Sequence, residues 1–262
     1  MLKPTRDREQ VRDRIAGYCR RLMLSKEIVT YCEQMATPRQ EEFLCQILAD
    51  ELARRELSKK TRLLKRACFP VYKSFADYEF QCVRMPPTLS QEELLSCQFI
   101  GEKKNLVLYG PVGLGKTHMA VALGVRACEM GLNVRFYTVT QLVLKLTEAR
   151  RNGTLERLIN ELQRLNLLLL DEWGYVPIDK DGSQLLFRVV SDSYESKSLI
   201  LTTNLEFSRW GSIFTDEQMA AAMIARLIHH GHLIMFEGKS YRMEHALMRQ
   251  VGRKSAAAAV QA

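Results

Sequence analysis

Gly110-Pro111-Val112-Gly113-Leu114-Gly115-Lys116-Thr117 stands between an apolar run, Leu106 to Tyr109, and a helix-like stretch that opens at His118. No other feature of this 262-residue chain restricts its fold so strongly. The pattern G-x-x-x-x-G-K-[ST] lets backbone N–H groups close around phosphates, because its glycines place no side chain in the way. The helix that follows adds the positive end of its dipole. In that arrangement Lys116 meets the β- and γ-phosphates, and the Thr117 hydroxyl serves Mg²⁺. A strand, this loop and a helix in succession point to an α/β chain that binds a nucleoside triphosphate.

The rest of the C-terminal two-thirds keeps the same rhythm. Short apolar runs at 106–109, 134–139, 167–170 and 199–203 alternate with helical stretches. Such alternation predicts a parallel sheet with helices on both faces. The run Leu167 to Leu170 ends in Asp171-Glu172. A buried strand that ends in an acid places a carboxylate beside the phosphate loop, so Asp171 is the second expected Mg²⁺ ligand. Glu172 is then the base that orients attacking water. The run 199–203 ends at Asn204, an amide suited to orienting water or to making a turn. Downstream, Arg209, Arg226 and Arg242 are candidates to neutralise transition-state charge. His229, His230 and His232 lack the acids or cysteines that would complete a zinc site.

Residues 1–66 hold 16 Lys and Arg against 10 Asp and Glu, whereas the whole chain carries +8. A basic N-terminal region on a near-neutral body points to an acidic partner such as nucleic acid. This region reads as a small helical unit, with Thr37, Pro38 and Gln40 opening a helix. Phe43, Leu44, Ile47, Leu48 and Leu52 are expected on its packed face. Residues 67–90, rich in proline and aromatics, read as a connector and the lip of the next domain. Ser90 and Glu93 predict a capping box that opens a helix to about Phe99. The ATPase domain is expected over 91–248 and a loose tail over 249–262. The seven cysteines stand singly, and no run approaches the ~20 apolar residues of a membrane span. With no apolar signal segment at the start, the expectation is a cytoplasmic chain with no membrane association.

Taken together, GPVGLGKTH, LLLLDEWGYVPI, LTTNLEFSRW, ARLIHHGHLIMFEGKSYR and the upstream QEEFLCQILADELARRE, LKRACFP and FADYEF resemble the IstB family. These are AAA+ helper ATPases of insertion-sequence transposition, similar throughout to the DnaC helicase loader. The resemblance implies an AAA+ P-loop fold with a central parallel sheet after a small all-α domain. It also implies ATP and Mg²⁺, with nucleotide contacts from Gly110 through Thr117 and His118. Asn204 would be sensor 1, Arg226 a finger reaching a neighbouring subunit's nucleotide, and Arg242 the sensor 2 arginine. Relatives often carry an acid before the finger, where this chain has Ala225. The implied activity is DNA-stimulated ATP hydrolysis by a homo-oligomer assembled with ATP on double-stranded DNA, which it remodels while recruiting a partner transposase. Lys145, Arg150 and Arg151 match the place where the clade carries a DNA-contacting helical element. The alternative is a DnaC-like replicative helicase loader, although QEEFLCQILADELARRE is similar to IstB rather than to DnaC.

Lys116 is the one cationic side chain in the loop, so Lys116→Ala is expected to abolish ATP binding. Equilibrium binding of a fluorescent ATP analogue checks this, and native affinity in the variant refutes the phosphate-loop assignment.

Overall fold

The computed structural model describes residues 6–76, 78–175, 178–214, 216–238 and 240–241. The chain divides into two compact units, residues 1–62 and 63–262.

In the first unit, α1 (Arg6–Leu22), α2 (Glu27–Met35) and the N-terminal part of α3 (Pro38–Ala67) enclose a small core. Ile15, Cys19, Leu22, Cys32, Cys45, Leu48 and Leu52 fill it. Pro38 occupies the first position of α3, and the Gln40 side chain reaches back to the Thr37 N–H at 2.8 Å. The packed face differs from the sequence expectation. Phe43 and Ile47 are 69% and 46% exposed, and the face that turns inward is led by Glu41, at 1% exposed. Glu41, Cys45, Leu48 and Leu52 recur at helical spacing, so an acid occupies a place where an apolar residue is expected. Two arginines on α1 make this possible: Arg8 and Arg12 donate to the Glu41 carboxylate at 2.9 and 2.8 Å. Burial alone would raise the Glu41 carboxyl, but the hydrogen bonds and charges of Arg8 and Arg12 hold it below the usual carboxylate range.

In the second unit, the stretch after α3 packs its aromatic residues onto the body of the unit. Phe69, Phe75, Tyr78, Phe80 and Val83 pack against the core, and β1 (Val83–Arg84) pairs with a sheet edge. The Ser90–Glu93 capping box forms, opening α4 (Gln91–Leu95). That helix stops short of Phe99, because Cys97 is left-handed at φ 57° and a separate turn, α5 (Gln98–Gly101), follows. Leu94, Cys97, Phe99 and Ile100 are all buried. One continuous helix would spread these four over more than half its circumference, so the break is what lets them share a core.

The sheet comprises β1, β2 (Asn105–Tyr109), β3 (Val134–Thr138), β4 (Leu167–Trp173), β5 (Ser198–Thr203) and β6 (Gly231–Phe236). Its order is β1-β6-β2-β5-β4-β3, parallel except for the β1–β6 pair. β6 has no counterpart among the expected strands. Its alternating half-buried and buried residues give the period of 2 of a strand with one face less covered than the other. Along β4, Leu167 and Leu169 enter one core with α6 (Lys116–Glu129), whereas Leu168 and Leu170 enter the other. The second core is closed by α7 (Val139–Arg151), α8 (Leu155–Gln163), α9 (Lys180–Ser193), α10 (Gly211–Phe214) and α11 (Glu217–His229). Burial on both faces explains four consecutive leucines. As expected, this is an α/β fold with a mostly parallel central sheet and a phosphate loop between β2 and α6, preceded in the chain by a helical region. Among the described residues no helix is long and apolar enough to cross a membrane.

Replacing Glu41 with Ala should cost roughly 2–3 kcal/mol, less than a fully buried pair, because Arg8 and Arg12 keep access to water. Since the native carboxyl is depressed, this stability is present above the unfolded value near ~4.3 and is lost as pH falls through the native one. Urea unfolding of both proteins followed by circular dichroism from pH 7 to 3 checks this: the gap should close at low pH.

Candidate functional site

The parallel strands β2, β4 and β5 end on one side of the sheet, where a doubly wound fold holds its ligands. The phosphate loop leaves β2 there. Its first residue is tied to the tip of β5, the Gly110 N–H donating to the Thr203 carbonyl at 3.2 Å. Gly110 lies so close to β6 that a Cβ would stand 2.3 Å from the Phe236 carbonyl oxygen. Gly113 and Gly115 hold φ of 85° and 90°, a region that costs side-chain-bearing residues. Pro111 and Val112 are exposed, and Leu114 anchors the loop in the core.

Lys116 begins α6, and its ammonium donates to the Gly110 and Pro111 carbonyls at 2.6 Å each. A cation therefore sits inside the curl of the loop. The N-terminus of α6 carries no side-chain cap, and the positive end of the helix dipole there favours an anion. Thr117 donates to Asp171 Oδ1 at 2.9 Å, bringing together the two residues expected to serve Mg²⁺. A hydroxyl and a carboxylate suit that hard cation, which prefers oxygen. His118 contacts the Ser74 carbonyl at 2.8 Å, and its ring lies 5.0 Å from that of Tyr78. Tyr78 in turn covers Gly115, with its hydroxyl 3.5 Å from the Gly115 carbonyl, and burial pushes its phenol up. Sequence reasoning did not place it beside the loop, although the aromatic run FADYEF carried the signal.

The acids sit at an irregularity. The register between β4 and β5 shifts between Leu170 and Trp173, so Asp171 and Glu172 form a bulge on that side. Asp171 is buried and Glu172 exposed. Glu172 has φ 61°, an unusual backbone for a residue with a side chain and one found where structure is strained for a purpose. Thr202 of β5 hydrogen-bonds both residues, and nothing in the sequence singled it out. Behind the bulge Trp173 is fully buried against Trp210 and Phe214, with ring centroids 5.1 and 5.6 Å away. Asn204 is exposed immediately after β5. Because β5 lies between β2 and β4, Asn204 falls between the phosphate loop and the acids.

The remaining candidates lie elsewhere. Arg226, near the end of α11, stacks over the Phe187 ring at 5.2 Å and donates to the Ala222 carbonyl at 3.0 Å. Arg209 is exposed on a short 3-10 turn, Phe207–Arg209. Arg242 lies outside the described residues, as does the tail. On α7, Lys145 is half-buried over the Tyr137 ring, and Arg150 is paired with Asp181. Arg151 is exposed. His229 bonds the Tyr194 hydroxyl, His230 pairs with Glu195, and His232 meets Thr88. Among the described residues no three His, Cys, Asp or Glu side chains are placed to share a metal ion.

The model of the family described as IstB-like ATP binding protein matches residues 24–248. A protein of insertion sequence IS21 from Pseudomonas aeruginosa, named for ATP binding, is 35% identical over 84% of this chain and 84% of its own length. The corresponding protein of insertion sequence IS5376 from Geobacillus stearothermophilus is 31% identical over 93% of this chain and 99% of its own. The crystal structure of the DnaC helicase loader superposes with a TM-score of 0.46 at 20% identity. That match covers 67% of this chain and 99% of the other.

Gly110→Ala has no room for its methyl group against the Phe236 carbonyl, so the loop or β6 must move. The expected result is a lowered melting temperature together with nucleotide affinity weakened by about tenfold or more, from strain and overpacking combined. Thermal unfolding and analogue binding on the same sample check both, and native values for each refute the close approach.

Proposed function

The chain belongs to the IstB-like ATP binding proteins, and on that footing we propose that it is an ATP-hydrolysing assembly factor. With ATP and Mg²⁺ it gathers as a homo-oligomer on duplex DNA, remodels that DNA and recruits or stimulates a partner transposase. The observation that carries the hydrolytic part is Glu172. A second carboxylate stands exposed on a bulge residue of positive φ, next to the Thr117–Asp171 pair proposed to hold Mg²⁺. The site needs it as a general base.

The division of labour follows from position. The loop N–H groups, the α6 N-terminus and Lys116 hold the triphosphate. Thr117 and Asp171 hold Mg²⁺, which when bound draws charge from the phosphate oxygens. Glu172 takes the proton of the attacking water, and Asn204 orients that water between loop and acids. Arg226 reaches a neighbouring subunit's nucleotide, leaving its own Phe187, and Arg242 touches the nucleotide of its own subunit. A finger supplied in trans makes hydrolysis depend on assembly. Names given to the IS21 and IS5376 proteins support the insertion-sequence setting. The excess of basic residues before position 67 supports an anionic polymer as partner. Lys145, Arg150 and Arg151 remain the proposed DNA contacts of the second unit, Arg151 being the one most available.

Glu172→Gln tests this reading. It retains the phosphate and Mg²⁺ contacts but removes the base, so ATP should bind normally while turnover falls by about 10² or more. Sedimentation should then show a longer-lived complex with duplex DNA. Turnover at the native rate would mean that Glu172 is not the base.

A further inference from the structure

Thr202 lies on β5, two residues before Asn204, and is 4% exposed. Its hydroxyl donates to Asp171 Oδ1 and accepts the Glu172 N–H at 3.1 Å. A hydroxyl has one proton to give and lone pairs to receive, so both bonds form at once. A single buried oxygen atom therefore ties the carboxylate of one acid to the backbone of the next. These are the groups that β5 leaves without regular pairing, because the register slips at this place. Glu172 is also the residue whose backbone is left-handed. Thr117 reaches Asp171 as well, at 2.9 Å, but it approaches from α6 rather than from the strand beside the bulge. Thr203, the next residue, acts elsewhere. Its hydroxyl bonds the Trp173 carbonyl at 2.9 Å and the Leu205 N–H at 3.0 Å, which closes the turn past Asn204.

We infer that Thr202 is a positioning residue for hydrolysis, whose hydroxyl fixes the Asp171 carboxylate and the left-handed Glu172 backbone relative to each other. This rests on the roles given above to Asp171 and Glu172. The consequence is a constant offset between the residue that holds the metal and the residue that takes the proton. Without the hydroxyl, the bulge loses one of its cross-strand bonds and Asp171 one of its two hydroxyl partners. Such looseness harms catalysis more than nucleotide binding, since the phosphate loop is untouched. The side-chain methyl group has no part in this.

The test compares the full-length chain with Thr202→Val, which keeps the shape and removes the hydroxyl, and Thr202→Ser, which does the reverse. ATP turnover with duplex DNA, affinity for a fluorescent ATP analogue in EDTA, and the Mg²⁺ midpoint of analogue binding are measured for each. For Thr202→Val, turnover should fall about tenfold or more. Its Mg²⁺ midpoint should rise several-fold, while affinity in EDTA stays native. Thr202→Ser should match the wild type throughout. A purely structural role gives the opposite order, with valine near native and serine the poorer. Native turnover and Mg²⁺ midpoint in Thr202→Val, or equal damage in Thr202→Ser, overturns the inference. If the wild type itself hydrolyses no ATP, the hydrolytic reading of Glu172 fails, and the Mg²⁺ midpoint alone then decides Thr202. Should Thr202→Val not fold, Thr202→Ala against Thr202→Ser makes the same comparison.

Discussion

Asp171 Oδ1 accepts hydroxyl protons from Thr117 on α6 and Thr202 on β5. The three residues come from the helix after the phosphate loop, the strand that ends in the acids, and the strand between β2 and β4. Burying a carboxylate at the end of an apolar strand is costly unless it is hydrogen-bonded. Here the two hydroxyl bonds to Oδ1 also tie the acid to the helix after the loop and to the neighbouring strand. The four leucines before Asp171, packed into both cores, give that arrangement a rigid base.

Glu172 shows how the same base tolerates strain. Its left-handed backbone is unfavourable for a residue with a side chain, yet it is followed by Trp173, which is fully buried. Packing of that indole against Trp210 and Phe214 holds the chain beyond the bulge, so the irregularity cannot relax by sliding along β5. The Trp173 carbonyl is taken by Thr203. The site is thus an exposed carboxylate on a segment held at both ends.

The first unit solves a different problem. With a core of few residues, it gives one inward position on α3 to Glu41 and satisfies it with Arg8 and Arg12. An ion pair of this kind adds little net stability over an apolar core, but it matches α1 to α3 in one register. Phe43 and Ile47 are left facing outward as a result.

The phosphate loop, the acid pair and the strand–helix alternation were legible in the residues, because each depends on local rules: glycine at positive φ, an apolar run, a carboxylate at its end. Position in the chain also marked Asn204 as lying at a strand tip. Other features depend on neighbours far away in sequence. That Glu41 faces inward depends on arginines 29 and 33 residues before it. That Thr202 serves the acids depends on strand order and a register slip, which no periodicity encodes. The break at Cys97 and the place of Tyr78 over Gly115 likewise follow from which surfaces must be buried together. Sequence alone determined which residues stand at the ends of β2 and β4, the phosphate loop and the acid pair, since each is written in contiguous residues. Tertiary structure alone decided which groups hold those residues in place, since hydrogen bonds and packing act through space between segments that the chain order keeps apart.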